Sequence, residues 1–165
     1  MPVIIDPTPD LFSSGASALV NPVNCVGVMG AGLAKQFARR WPAMLNDYKK
    51  RCAQRLLQPG KLDLHERHRY PDGTPVMIVN APTKNHWRDP SRIEWVEGAL
   101  VELAWRLPIW HQVDKPLGAD TSAPMIAMPA LGCGLGGLTF DQVRPLVEQH
   151  LGQWEEIDVL LYSPR

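Results

Sequence analysis

Short apolar runs rich in β-branched residues alternate along this chain with longer segments whose apolar residues recur at helical spacing. This alternation is typical of α/β folds, in which strands and helices follow one another and pack in layers. We therefore expect a central β-sheet with helices packed against it. The pattern predicts strands at 4–5, 18–23, 61–65, 75–80, 125–128 and 157–162.

Helical signals occupy the segments between these strands. Leu33 and Phe37 share the apolar face of the first predicted helix, and its other face carries the charges. Ser91–Glu94 and Thr139–Gln142 have the residue types and spacing of capping boxes. The segment 112–124 has no apolar period and is predicted to be a mobile loop. The predicted helices begin near Gly32, Pro42, Ser91 and Thr139.

Composition limits the class of protein. A chain of 165 residues that is 45% hydrophobic fits one compact domain with its own core. The formal net charge is zero, so a nucleic-acid contact would require a local site rather than a globally basic surface. The cysteines Cys25, Cys52 and Cys133 have no metal-ligand spacing, and we expect reduced thiols, a cytoplasmic location and no metal. The sequence shows neither a signal peptide nor a membrane span.

Two glycine-rich loops, at 21–34 and 129–138, each follow a predicted strand and precede a predicted helix. Glycine lets backbone N–H groups approach an anion, and the helix N-terminus adds a favourable partial charge. The spacing in the first loop matches neither the dinucleotide-binding fingerprint nor the Walker loop. Either loop alone is equally consistent with a tight turn. Two of them in the same context favour a cleft that holds a diphosphate from both sides.

A third loop, at 80–88, contains Lys84, His86, Trp87 and Arg88. It leaves a predicted central strand, so these side chains are expected at the carboxyl edge of the sheet, where α/β folds bind ligands. A solvated basic loop closed by Trp87 explains the same residue types. The residues alone leave both interpretations open.

The sequence resembles the macrodomain family from about residue 10 to residue 162. The resemblance rests on an early aspartate, Asp10, a strand that ends Val-Asn-x-x-Asn at Asn24, a glycine loop leading into a helix, and a later Gly-x-Gly loop. It implies a three-layer α/β/α sandwich with a mixed central sheet, a single domain over 1–165, and binding of ADP-ribose without a cofactor.

The resemblance also implies roles for individual residues. Asp10 would accept a hydrogen bond from the adenine amino group, Leu11 would supply a backbone N–H, and Tyr162 would stack on adenine. Asn24 would lie beside the distal ribose, and the two glycine loops would hold the diphosphate. The ADP-ribose-binding residues expected in this way are Asp10, Leu11, Gly30, Ala31, Gly32, Leu33, Ala34, Thr83, Leu131, Gly132, Cys133, Gly134, Leu135, Gly136 and Tyr162.

Within the family, Pro-Thr-Lys-x-His-Trp-Arg at 82–88 is similar to the DarG-like DNA ADP-ribosyl glycohydrolases, and the vertebrate terminal ADP-ribose glycohydrolase shares the lysine. The resemblance implies that Lys84 is catalytic and that Asn24 orients the ribose. Lys84 would act either as a neutral nucleophile or as a charged electrostatic stabiliser. The vertebrate protein has an aspartate where this chain has Gly136–Gly137. Nucleic-acid contacts are expected from His86, Trp87 and Arg88.

The expected function is removal of mono-ADP-ribose from a modified DNA base, in single-stranded DNA, with ADP-ribosylated protein as the other substrate class. We expect a monomer with a DarT-like toxin as its partner and no membrane association. The alternatives are an ADP-ribose 1″-phosphate phosphatase and a non-catalytic ADP-ribose reader. The chain ends three residues after Tyr162, so we expect either a truncated antitoxin or a free-standing domain.

Overall fold

The computed structural model describes residues 3–66, 75, 77–113, 125–154 and 157–165. No helix within these ranges is long and apolar enough to cross a membrane. Each predicted strand and helix is present, with shifts at some ends. The elements are β1 Val3–Ile5, a 3-10 turn Leu11–Ser13, β2 Ala18–Val23, α1 Gly32–Arg40, α2 Pro42–Ala53, β3 Asp63–Glu66, β4 Met77–Pro82, α3 Ile93–Val113, β5 Met125–Pro129, α4 Phe140–Leu151 and β6 Asp158–Tyr162.

The strands form one mixed sheet in the order β1-β6-β5-β2-β4-β3. All neighbouring pairs are parallel except β3 and β4, which are antiparallel. The carboxyl ends of β2, β4, β5 and β6 therefore meet at one edge of the sheet. The loops that follow them are the glycine and lysine loops, so the topology brings the segments with candidate chemistry together.

Helices cover both faces of the sheet, which confirms the predicted three-layer arrangement. Side chains alternate along a strand, so Val20 of β2 packs with α3 and α4 while Leu19 packs with α1 and α2. Full burial of a side chain of this size stabilises the fold by roughly 1.5–3 kcal/mol. Fully buried helix residues include Leu100, Leu103 and Val147 in the first core and Phe37, Met44 and Tyr48 in the second.

The two predicted capping boxes have different outcomes. Thr139 and Gln142 exchange the reciprocal hydrogen bonds of a capping box at the start of α4. The start of α3 is near the predicted position, but the Ser91 hydroxyl is buried and has no hydrogen-bond partner among the described residues. The capping box predicted there is therefore wrong. The helix also continues to Val113, so the predicted loop begins later than residue 112, and 114–124 lie outside the described residues.

The edge strand β3 begins at Asp63, two residues later than predicted. Its buried side chains are the polar Asp63 and His65 rather than the leucines of the alternating pattern. Asp63 accepts hydrogen bonds from Arg51 and from the Asn80 side chain at 3.1 Å. Paired polar groups can be buried at modest cost. Leu62 and Leu64 on the other face are partly buried and pack against the core that α3 and α4 form, so both faces of this predicted half-buried strand are covered.

Candidate functional site

A cleft of about 750 Å³ lies at the carboxyl edge of the sheet, between the loops that follow β2, β4 and β5 and the end of β6. This volume is within the usual range for small-molecule and cofactor sites. The two glycine loops and the lysine loop all contribute to its wall, as predicted. Among the predicted residues, those that line it are Asp10, Leu11, Asn24, Gly30, Ala31, Gly32, Leu33, Ala34, Thr83, Lys84, Trp87, Gly132, Gly134, Leu135, Gly136 and Tyr162.

The loop after β2 is shaped by the buried side chain of Asn24. Its Oδ1 accepts hydrogen bonds from the N–H groups of Val26 at 3.0 Å and Val28 at 3.4 Å, and its Nδ2 donates to the Val28 carbonyl at 2.7 Å. The hydroxyl of Tyr48, from α2, donates to Asn24 and lies 2.8 Å from both its carbonyl oxygen and its Oδ1. Asn24 therefore holds the loop, and its role in orienting a ribose stays a prediction.

The loop after β5 packs tightly against the start of α3. The Ser91 N–H donates to the Gly136 carbonyl at 3.0 Å. A Cβ atom at Gly136 would collide with the Ser91 hydroxyl and lie 2.5 Å from the Gly132 carbonyl oxygen. This packing requires glycine at 136, and no carboxylate fits there as the loop stands. A Cβ atom at Gly137 would meet nothing within 4 Å, but the positive φ of 83° at this residue favours glycine.

Lys84 joins two of the loops. Its Nζ donates to the carbonyl oxygens of Trp87 at 3.3 Å and Leu135 at 3.2 Å. His86 and Arg88, the neighbours of Lys84 in the lysine loop, both contact Trp87. The Arg88 guanidinium lies 4.6 Å from the indole centroid, and the His86 ring centroid lies 5.3 Å from that of Trp87. The lysine thus lies at the point where the lysine loop meets the second glycine loop.

The other end of the cleft contains the residues expected to bind adenine. The Tyr162 hydroxyl donates to the Pro9 carbonyl at 2.9 Å, which holds the 3-10 turn against the end of β6. Asp10 caps that turn, since its Oδ1 accepts from the Ser13 N–H at 3.0 Å. Its Oδ2 has no hydrogen-bond partner among the described residues. Asp10 therefore keeps an acceptor for a ligand, as the adenine prediction requires.

Two of the cysteines lie in the ligand loops. Burial raises the pKa of both the Cys25 and the Cys133 thiol to about 11, with a smaller effect of Cys52 on Cys25. Thiols with these pKa values stay protonated near neutral pH and are poor nucleophiles. A catalytic role for either cysteine is therefore disfavoured on chemical grounds.

Four predicted contact residues do not line the cleft. Leu131 is fully buried in the core beneath α3 and α4, and Cys133 packs against the same core with its thiol turned to the Leu131 carbonyl. Their side chains face inward, so the expected contacts with the ligand would come from the backbone of the loop and stay predictions. His86 and Arg88 contact Trp87 instead, and their predicted contacts with nucleic acid stay predictions.

The cleft also contains residues that the sequence did not single out. Ser91 was interpreted as a helix cap, and Phe12 follows two predicted ligand residues without a pattern of its own. Both lie at turns whose direction no periodicity specifies. No group of three or more His, Cys, Asp or Glu suitable for a metal occurs in the described part of the chain. Additional lining residues include Phe12, Val28, Gln36, Ser91 and Arg165.

Comparison with known proteins identifies the fold family. A family model described as the Macro domain matches residues 20–147. The DNA ADP-ribosyl glycohydrolase of Mycobacterium tuberculosis is 37% identical over 155 residues, covering 94% of this chain and 40% of that protein. This chain therefore spans about 40% of the length of the curated relatives that it matches first.

Solved structures give the same result. The macrodomain of Mycobacterium tuberculosis DarG superposes with a TM-score of 0.84 at 35% identity, covering 98% of this chain and 99% of that one. Thermosipho africanus DarTG in complex with ADP-ribose superposes with a TM-score of 0.77 at 32% identity, covering 94% of this chain and 40% of that one. The chain belongs to the macrodomain family.

Proposed function

We propose that this chain is an ADP-ribosyl glycohydrolase that removes mono-ADP-ribose from a modified DNA base, with Lys84 as its catalytic residue. The observation that carries the proposal is the position of the Lys84 Nζ, hydrogen-bonded to both the lysine loop and the second glycine loop at the wall of the cleft. The 37% identity to a protein named DNA ADP-ribosyl glycohydrolase supports the same activity.

In the proposed complex, adenine binds at the Asp10 and Tyr162 end of the cleft. The backbone N–H groups of the two glycine loops and the N-terminus of α1 bind the diphosphate between them. The distal ribose then lies beside Lys84, close to the loop that Asn24 holds. The ADP-ribose bound to the Thermosipho africanus relative supports this choice of ligand.

The geometry favours an electrostatic role for Lys84. An ammonium group has three N–H donors, and the carbonyl oxygens of Trp87 and Leu135 accept two of them, which leaves one for the substrate. In the proposed reaction a water oxygen bonds to the anomeric carbon as the glycosidic bond breaks, and the electron pair leaves with the base. The remaining Lys84 donor stabilises that developing negative charge, and the base takes up the proton released by the water.

A non-catalytic ADP-ribose reader is the second candidate, because the same hydrogen bonds suit a lysine that only ties two loops together. The two functions differ in what loss of the side chain does. If Lys84 only connects the two loops, its loss weakens ADP-ribose binding, and the unaltered protein releases no ADP-ribose from any substrate. Loss of a catalytic group removes turnover and leaves much of the binding energy in place.

The test measures release of ADP-ribose from a DNA oligonucleotide ADP-ribosylated on a base, together with calorimetric binding of free ADP-ribose. Lys84→Ala is expected to lower the rate at least 100-fold, which corresponds to about 2.7 kcal/mol of lost transition-state stabilisation. Lys50→Ala is the matched control, since Lys50 is an exposed lysine on α2 that does not line the cleft. If the unaltered protein binds ADP-ribose but releases none, the reader function is favoured. If it releases ADP-ribose only from ADP-ribosylated protein or from ADP-ribose 1″-phosphate, the proposal of a DNA substrate is wrong.

We further propose that residues 1–165 act as one domain and as a monomer in the cytoplasm. The pairing of β1 with β6 supports one domain, because it joins the two ends of the described chain in a single sheet. A DarT-like toxin that attaches ADP-ribose to DNA is the proposed partner. Light scattering after gel filtration tests the monomer, and protection of bacteria that express such a toxin tests the partnership.

A further inference from the structure

Two exposed apolar side chains, Trp87 and Leu135, stand at the rim of the cleft on either side of Lys84. Trp87 is 46% exposed and Leu135 is 78% exposed, and both line the cleft. Their own backbone carbonyls accept the two hydrogen bonds from the Lys84 Nζ. The rim pair, Trp87 and Leu135, therefore flanks the proposed reacting centre.

A cation accompanies the exposed ring of the rim pair. The guanidinium of Arg88 lies 4.6 Å from the centroid of the Trp87 indole, and the exposed Arg88 forms no ion pair with any of the described residues. An aromatic ring for stacking beside a cation for the backbone is the combination with which proteins bind single-stranded nucleic acid.

The position of the rim pair relative to Lys84 limits what it contacts. In the proposed reaction the leaving group is attached to the anomeric carbon beside Lys84 and must project out of the cleft past the rim. A base still stacked inside a duplex cannot reach this point, whereas a base in single-stranded DNA can. A carboxylate-linked peptide has no ring to stack at the same place.

We propose that the rim pair is a nucleobase subsite: the base that carries ADP-ribose stacks on Trp87, Leu135 closes its other side, and Arg88 binds a neighbouring phosphate of single-stranded DNA. This proposal rests on the proposed function and adds the recognition of the DNA part of the substrate. In this proposal the side chains of Trp87, Leu135 and Arg88 bind the DNA part of the substrate and do not contribute to the binding of free ADP-ribose.

The first test uses Trp87→Ala, with Trp105→Ala as a matched control. Trp105 lies on α3, is 55% exposed and also has an arginine over its ring, at 5.0 Å, but it does not line the cleft. Loss of a base stack costs roughly 5- to 150-fold. We expect Trp87→Ala to lower kcat/KM on the modified oligonucleotide by about tenfold, with the Kd of free ADP-ribose unchanged within about twofold. Trp87→Phe should restore most of the loss, and Trp105→Ala should match the unaltered protein.

The second test measures the phosphate contact of Arg88. Binding of the ADP-ribosylated single strand is followed against salt concentration in a Lys84→Ala background, in which turnover is removed. One phosphate contact to a single strand contributes about 0.7 to the slope of log K against log salt. Arg88→Gln should make that slope shallower by about this amount, and a control substitution at exposed Arg144 should leave it unchanged.

The outcomes separate this proposal from the proposed function. Release from DNA with an unchanged kcat/KM in Trp87→Ala would overturn the subsite and leave the glycohydrolase activity intact. An equal loss on an ADP-ribosylated peptide would also overturn it, because the ring would then recognise no base. If neither the unaltered protein nor any variant releases ADP-ribose from DNA, the proposed function is wrong. The affinity of Lys84→Ala for the modified strand, with and without Trp87→Ala, still decides the subsite.

Discussion

The hydroxyl of Tyr48 connects helix α2 to the first glycine loop, and its removal is a direct test of how that loop is held. Tyr48 is fully buried, and its hydroxyl lies 2.8 Å from both the carbonyl oxygen and the Oδ1 of Asn24. Burial raises the pKa of this hydroxyl far above its ordinary value, so it stays a proton donor at every practical assay pH. Tyr48→Phe removes the donor and changes little else in shape.

The size of the effect follows from counting the hydrogen bonds. One O–H proton is lost, while Asn24 Oδ1 keeps the N–H groups of Val26 and Val28. The cost is that of one buried hydrogen bond plus part of the desolvation of the orphaned carbonyl, about 1–3 kcal/mol in total. For a chain of this length, each kcal/mol lowers the Tm by about 2–4 °C.

The loop lines the cleft, so its loosening should also weaken ligand binding. If the binding-competent loop becomes only a fraction of the population, the apparent Kd of ADP-ribose rises by the reciprocal of that fraction, which we expect to be about 3- to 10-fold. Urea denaturation measures the loss of stability, and calorimetry measures the affinity.

Tyr162→Phe is the matched control for stability. Its hydroxyl makes a similar hydrogen bond to the Pro9 carbonyl at 2.9 Å, but the ring is only half-buried and water can replace the donor. We expect this substitution to cost less than about 0.5 kcal/mol. Equal stability losses in the two variants, or unchanged stability and affinity in Tyr48→Phe, would refute the reasoning and leave the loop held by the Asn24 contacts alone.

Two further predictions follow from the second glycine loop and from the thiols. Gly136→Ala should destabilise the protein by about 1–3 kcal/mol and weaken ADP-ribose binding, because its Cβ meets Ser91 and the Gly132 carbonyl; Gly134→Ala, with open space at its Cβ, should keep the urea midpoint of the unaltered protein. Because burial raises the pKa of Cys25 and Cys133 to about 11, the folded state holds these protons more tightly than the unfolded state. Their contribution to stability is present below about pH 9 and is lost as the pH rises towards 11, so iodoacetamide should label both slowly at pH 8, and rapid labelling in the folded state would contradict the assignment.

The sequence was sufficient to predict the strands and the loops that carry the candidate chemistry. Apolar runs locate buried strands, and glycines after a strand locate loops that approach a ligand, because both signals are local. The bond from Lys84 to the Leu135 carbonyl is different, since it joins residues 51 positions apart and depends on the order of β5, β2 and β4 in the sheet. No pattern within a single segment contains that order.

The side-chain directions that the sequence did not specify share a physical cause. Ser91 has the right spacing for a capping box, but its hydroxyl is buried beside Gly136 and makes no hydrogen bond to a described residue. The alternation at 61–65 gives no sign that Asp63 is buried, and Arg51 and Asn80 supply the partners that allow its burial. The Leu131 side chain enters the core, so a ligand contact from this residue would come from its backbone and stays a prediction. In each case a tertiary partner, which no local pattern specifies, determined the direction of the side chain.

The position of Lys84 has a consequence for how any variant of it must be interpreted. β2 lies between β4 and β5, so a lysine that bonds to the loop after β4 and the loop after β5 spans the carboxyl end of β2 and the loop that Asn24 shapes. Its loss therefore removes both a donor for the substrate and a tie between two walls of the cleft. The two contributions separate in the kinetics. A rise in KM and in the Kd of ADP-ribose at constant kcat measures how much the connection between the two loops contributes to binding. A fall in kcat at constant Kd measures how much the hydrogen bond to the substrate contributes to the reaction. Lys84→Arg keeps a cation that can bond to both carbonyls but moves its charge, so a variant that retains affinity and loses turnover would assign the chemistry to the ammonium itself.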